Sequence, residues 1–178
     1  MNKQAKQLVL ACCVPVLILI GMCVMPLFTL LTGEEMILQT KPVDPSDVFR
    51  GDYVTLRYEA EEVPINLVEQ SVLTRLQDRG GEFDVYVLME KKNGVDTPTK
   101  VTLSKPDKGE FLSGTFSYTD KDNKGQEIAI IRYGLDNYYV EDNTGTEWEK
   151  ASAKGEILAK VKVNNGYAIL TDITKKEN

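Results

Sequence analysis

From Leu8 to Thr32 the chain reads LVLACCVPVLILIGMCVMPLFTLLT, 25 positions without a charge. As a helix this stretch rises roughly 37 Å, against about 30 Å for the hydrocarbon core of a bilayer, so the pattern predicts a transmembrane helix over 8–32. Pro15, Gly21 and Pro26 weaken a soluble helix but are tolerated in a span, where a kink is expected. Lys3 and Lys6 precede the apolar run and Glu34 and Glu35 follow it. The positive-inside rule then puts residues 1–7 in the cytoplasm and residues 33–178 outside it, with the protein crossing once. A cleaved secretory signal fits less well: its apolar part runs about 7–15 residues and ends in a small-x-small site, whereas here Met25-Pro26-Leu27-Phe28 continues the hydrophobic stretch. Val9-Leu10-Ala11-Cys12 has the outline of a lipoprotein box, but only a few apolar residues precede its cysteine.

Past Gly33 the pattern changes to short alternating runs. Met36–Thr40 reads as a strand, and Lys41–Asp47, with Pro42 and Pro45, as an extended connection. In Gly51–Glu59, Val54, Leu56 and Tyr58 fall on one face of a strand and Tyr53, Thr55, Arg57 and Glu59 on the other. From Pro64 to Gln77 the period becomes helical, with Ile65, Val68, Val72 and Leu76 on one stripe, Pro64 at the first position and Gly80-Gly81 as the stop. Phe83–Glu90, Asn93-Gly94 and Thr97–Ser104 spell a hairpin, as do Glu156–Val163, Asn164-Asn165-Gly166 and Tyr167–Ile173. Glu110–Tyr118, Gln126–Tyr133 and Tyr138–Glu141 are further strands, Thr146–Lys154 before Gly155 a short helix, and the polar link 120–125 a turn. Strands that follow one another without alternating helices predict a mainly β (α+β) domain. Its expected form is an antiparallel curved sheet, closed as a barrel or stacked as a sandwich, with one covering helix.

Composition sharpens the division. The whole chain carries 21 Lys+Arg and 27 Asp+Glu, net −6, with no histidine. Only Lys3 and Lys6 lie before the apolar run, so the 19 basic and 27 acidic residues after it leave −8 on the body. An acidic body argues against a nucleic-acid partner. The absence of histidine removes Ser-His-Asp and Cys-His catalysis and the commonest zinc sites. Cys12, Cys13 and Cys23 all fall within the apolar run, where they read as small apolar residues. The body must therefore fold without disulfides, for which its size suffices. No cofactor and no metal is expected.

Phe49-Arg50-Gly51-Asp52-Tyr53-Val54-Thr55-Leu56-Arg57-Tyr58 contains Gly-Asp-Tyr-x-x-Leu-x-Tyr. Together with Asp44-Pro45, Arg132-Tyr133-Gly134, Tyr138-Tyr139-Val140-Glu141 and the hairpin Ala159–Ala168, it resembles the bacterial GDYXXLXY family over most of residues 34–173. The resemblance implies a membrane-anchored protein with an extracytoplasmic domain, no assigned reaction, and a polytopic membrane protein as neighbour. It departs after Tyr139-Val140: the family's Pro-Glu-Gly is replaced by Glu141-Asp142-Asn143-Thr144-Gly145, a longer loop.

The motif needs no catalysis to make physical sense. Gly51 suits a sharp turn, Asp52 a bond to a nearby amide, and Leu56 and Tyr58 an inner face, with Tyr53 on the outer one. The functional version makes Asp52 a binding carboxylate on the face of Tyr58, near Arg50 or Arg132. A second candidate is a groove lined by Tyr138, Tyr139 and Trp148, with Glu141 at its edge; packing across strands is the plainer role for such tyrosines. A signal-peptidase-like serine–lysine dyad is missing, since no serine occurs between Gly33 and Ser46. Glu61-Glu62 reads as solvated charge rather than a glycosidase pair. Asp120, Asp122 and Asn123 lack the spacing of an EF-hand and read as a turn. The expected protein is a non-enzymatic accessory or interaction domain for another membrane or envelope protein. The alternative is a ligand-binding or hydrolytic domain with an aromatic-acidic pocket around Asp52, Tyr58 and Arg132.

Overall fold

A computed structural model describes residues 3–43, 53–140 and 145–176. Helix α1 (Lys3–Thr32) contains both Pro15 and Pro26. Its segment Ala11–Thr32 is long and apolar enough to cross a membrane, and 6% of its apolar window is buried. One residue later the β-rich body begins: β1 (Glu34–Gln39), β2 (Tyr53–Thr55), β3 (Glu62–Pro64), α2 (Gln70–Arg79), β4 (Phe83–Lys92), β5 (Val95–Thr102), β6 (Phe111–Lys121), β7 (Glu127–Arg132), β8 (Asn137–Tyr139), α3 (Gly145–Lys154), β9 (Ile157–Asn164) and β10 (Tyr167–Lys175). Strands predominate over helices in this body, and the sheets are not closed into a barrel.

The strands form a five-stranded sheet in the order β3-β7-β6-β4-β5, a three-stranded sheet β1-β9-β10 and the pair β2-β8. All the strand pairings within these sheets are antiparallel. Alternation decides the faces. Met36 and Leu38 of β1 and Ala159, Val161 and Val163 of β9 share one core with Val85 and Val87 of β4, Leu112 and Phe116 of β6 and Ile131 of β7. Phe83 stacks on Phe116 at 5.1 Å between ring centres. Helix α2 lies over this end, with Val72 buried and the Arg75 guanidinium 4.8 Å from the Phe83 ring centre. Both expected Asn-Gly hairpins form: Asn93 and Gly94 take φ of 52° and 84°, Asn165 and Gly166 of 56° and 86°, as a tight turn between twisted strands requires.

The helix expected over Pro64–Gln77 is displaced. Glu62–Pro64 pairs with β7 as an edge strand, a place where proline's missing N–H costs no ladder bond. Ile65–Leu67 makes one 3-10 turn, and Val68 bridges Val101 of β5. The helix starts only at Gln70. Ile65 and Val68 pack against the core, Val68 N–H donates to Ile65 O within the turn, and Glu69 N–H donates to Val101 O of β5, so tertiary pairing overrides the helical spacing. The stop is as expected, with Gly80 at φ 57°. The motif strand is also shorter than its alternation implies: β2 is three residues, although Val54, Leu56 and Tyr58 do share a buried face.

Candidate functional site

Gly51 and Asp52, with Arg50 and Glu141, lie outside the described residues; the motif is described from Tyr53 onward. There it is stitched to three separate parts of the chain, mostly by its own backbone. Tyr53, Val54 and Thr55 pair with Tyr139, Tyr138 and Asn137 of β8. Leu56 N–H donates to Asp136 O at 2.7 Å, and Arg57 O accepts from Lys41 N at 2.9 Å. Thr55 O accepts from Ser152 Oγ of α3 at 2.9 Å. Tyr58 is 0% exposed, bridges Thr40, and donates its hydroxyl to Leu135 O at 2.8 Å. Leu56 is equally sealed.

Behind Tyr58 lies a buried acid. Glu61 is 4% exposed; its Oε2 accepts from Tyr58 N–H at 3.1 Å, and its Oε1 has no partner among the described residues. The expectation that Glu61-Glu62 is solvated charge is thus wrong for Glu61. Glu62 is partly open and pairs with Lys41, but the short 3-10 turn Glu59–Glu61 rotates its neighbour inward. Burial holds the Glu61 carboxyl above its ordinary range, against the partial relief of the Tyr58 amide and of Arg57 and Lys41. Tyr133, whose hydroxyl donates to Ala60 O at 2.8 Å, is likewise pushed up by burial and then by Glu61. Tyr58 is raised by burial first, then by Glu61 and Asp136. These hydroxyls therefore serve as hydrogen-bond donors to carbonyls rather than as proton-transfer groups.

Arg132 lies elsewhere. It is exposed and lines an open groove of about 550 Å³ on the outer face of the five-stranded sheet, among Glu82, Asp84, Tyr86, Thr115, Tyr133 and Asp136. Register explains the assembly: Thr115 is opposite both Asp84 of β4 and Arg132 of β7, so acid, hydroxyl and guanidinium form one cross-strand row. Gly114 makes room for the Tyr133 ring, whose Cδ1 would be 3.1 Å from a Cβ there. Asp136 is held by Arg57 at 3.4 Å, and Glu82 accepts from Ser117 Oγ at 3.0 Å. Sequence spacing missed Glu82, Asp84 and Asp136 because only the pairing register brings β4, β6 and β7 into line.

The structure therefore does not bring Tyr58 and Arg132 into one cleft; the first is sealed in the core and the second lines a surface groove. It does bring Tyr53 to Tyr139, with ring centres 6.0 Å apart. Tyr139 is 78% exposed, whereas Tyr138 and Trp148 are half-buried against the core, and Lys175 Nζ lies 5.6 Å from the Trp148 ring centre. Among the described residues, no group of three or more acidic or cysteine side chains is placed to hold a metal ion. Asp122 has a turn role: its Oδ1 accepts from Lys124 N and Gln126 N, each at 2.8 Å.

Neither the search of curated proteins nor that of solved structures found a match. The family model described as GDYXXLXY protein matches residues 15–173, well over half of the chain, and the protein belongs to that family.

Proposed function

We propose that the protein is a single-span, membrane-anchored interaction domain. Residues 1–7 lie on the cytoplasmic side, the acidic β-rich body lies outside, and the body acts by binding another membrane or envelope protein rather than by catalysis. The observation that carries this reading is the apolar helix, open along nearly its whole length and joined to the body by the single residue Gly33. Such a helix has no protein core to bury it, so a bilayer and a neighbouring span are its natural surroundings. The Tyr58 and Tyr133 hydroxyls and one oxygen of Glu61 are committed to internal hydrogen bonds, which favours a structural over a catalytic motif. Crosslinking in intact membranes followed by identification of the captured proteins tests the reading. Recovery of a membrane or envelope partner, lost when α1 is replaced by an unrelated span, is expected; recovery of none counts against it. A reporter fused after Asn178 should be active only outside the cytoplasm, and cytoplasmic activity overturns the orientation.

The groove at Arg132 favours a second reading, a ligand-binding domain whose site is this groove rather than the neighbourhood of Tyr58. It predicts that Arg132→Ala and Asp84→Asn abolish binding to the crosslinked partner or to a small ligand while leaving thermal unfolding unchanged.

A further inference from the structure

The junction between α1 and the body is closed on one side only. Thr29, in the last turn of the helix, is 0% exposed, while Leu30 and Leu31 beside it remain 44% and 75% exposed. Pro26, one turn earlier on the flank of Thr29, is half-covered. Both β9 and β10 pack against α1. Gly33 N–H donates to Thr29 O at 2.8 Å, and a Cβ on Gly33 would collide with that oxygen and come within 3.0 Å of Val163 O. Asn164 Nδ2 donates to Thr32 Oγ1 at 3.0 Å, and Glu34 pairs with Val163. The body is seated against the end of the helix, with no stalk between them.

We propose that the β9–β10 turn, Asn164-Asn165-Gly166 with Tyr167, is a bilayer-contacting element that sits in the phospholipid headgroup layer beside α1. The inference rests on reading α1 as a span, and it adds which face of the body meets lipid. The argument is one of depth. Leu30 and Leu31 are open apolar side chains at the same height as Thr29, so the non-polar edge of the bilayer reaches them on one flank while the body covers the other. Whatever covers Thr29 shares that height.

The residues at this level suit an interface. Asn165 is exposed, and Tyr167 is 40% exposed, with the ring and hydroxyl favoured where hydrocarbon meets water. A depression of about 200 Å³ lies between Thr32, Glu34, Glu110, Phe111 and the turn, so the start of β6 stands at the same height. Ser113 N–H donates to Gly166 O at 2.8 Å and fixes the turn against β6. The β6–β7 turn, at the other end of β6, is the natural aqueous reference.

Site-directed spin labelling of the full chain in phosphatidylcholine vesicles tests this. With Cys12, Cys13 and Cys23 replaced by serine, single labels are placed by Asn165→Cys, Asn123→Cys on the β6–β7 turn, and Leu19→Cys in the helix. Expected is a label at 165 several-fold less accessible to an aqueous nickel chelate than the label at 123, at headgroup depth by its ratio of oxygen to nickel relaxation. Equal nickel accessibility at 165 and 123, with the label at 19 in hydrocarbon, overturns the inference and leaves the span intact. An aqueous label at 19 overturns both. Should the Asn165 variant fail to fold, Tyr167→Trp in a Trp148→Phe background gives a second readout: lipids brominated near the headgroup are expected to quench its fluorescence, and absence of quenching overturns the inference.

Discussion

Removing the Tyr58 hydroxyl is the sharpest test of what the family motif does. Tyr58→Phe keeps the ring in its sealed position and deletes one atom, the donor to Leu135 O at 2.8 Å. Leu135 is itself 5% exposed, so water does not replace the lost donor without opening the core. A carbonyl stranded in this way costs about 1–3 kcal/mol. At the middle of that range, and with about 2–4 °C per kcal/mol for a chain of this size, the melting temperature falls by roughly 4–8 °C. Tyr58→Ala also leaves a cavity and costs about 3–5 kcal/mol, a large part of the 5–15 kcal/mol that holds a typical domain. The assay is thermal unfolding of the full chain in detergent, followed by near-ultraviolet circular dichroism, alongside capture of the proposed membrane partner. A Tyr58→Phe protein that melts with the wild type but no longer captures the proposed partner refutes the structural account and makes the hydroxyl part of a site.

Three further outcomes follow from the geometry. Gly166→Ala places a Cβ at φ 86°, against Ser113 Oγ and 2.7 Å from Phe111 Cε2. Backbone strain of about 1–2 kcal/mol and overpacking of about 1–3 kcal/mol should both appear in denaturant unfolding, and an unchanged midpoint contradicts the turn geometry. Asp96→Ala removes the acceptor at 2.7 Å from Ile37 N–H and should cost about 1–3 kcal/mol; Asp96→Asn, which retains an acceptor, should cost less, and equal losses would mean that charge rather than the bond matters. Glu61 titrates above its ordinary 4.5 in the folded protein because it is buried. The native state therefore binds the extra proton, and stability contributed by this group is present below that value and lost as pH rises through the folded one. Glu110 acts with the same sign, through burial and the Glu34 carboxyl beside it. Glu61→Gln should flatten the decline in melting temperature as pH rises above 4.5, and a steeper decline would show that the ionised form is the stabilised one.

Local signals carried much of the fold. Asn93-Gly94 and Asn165-Gly166 need positive φ at both positions, a demand written in the residues themselves, and both hairpins form there. Alternation in the motif likewise identified Val54, Leu56 and Tyr58 as an inner face. The misplaced helix start came from a conflict that local spacing does not resolve: Ile65 and Val68 suit a helical stripe, but Val101, more than thirty positions away, offers Val68 a strand partner. Glu61 failed for a related reason. Its surroundings are Tyr58 beside it and Tyr133 and Asp136 from across the fold, and no window of sequence contains them together. The Arg132 groove depends on a register that passes from Asp84 through Thr115 to Arg132. Alternation says which residues face outward on each strand, but the alignment of strands is a property of the assembled sheet.

The single-residue join at Gly33 makes the helix and the body one lever. Spans tilt by about 20° in bilayers, and a strand as long as β6 reaches roughly 36 Å. With Gly33 bonded to Thr29 and Asn164 bonded to Thr32, that tilt is not absorbed in a flexible neck. With α1 as the proposed span, it would swing the β6–β7 tip by roughly 12 Å. On the proposed reading of α1 as a span, a neighbouring helix that leans on it would thereby steer the acidic body, and bilayer thickness itself would become a variable that sets where the β6–β7 tip points.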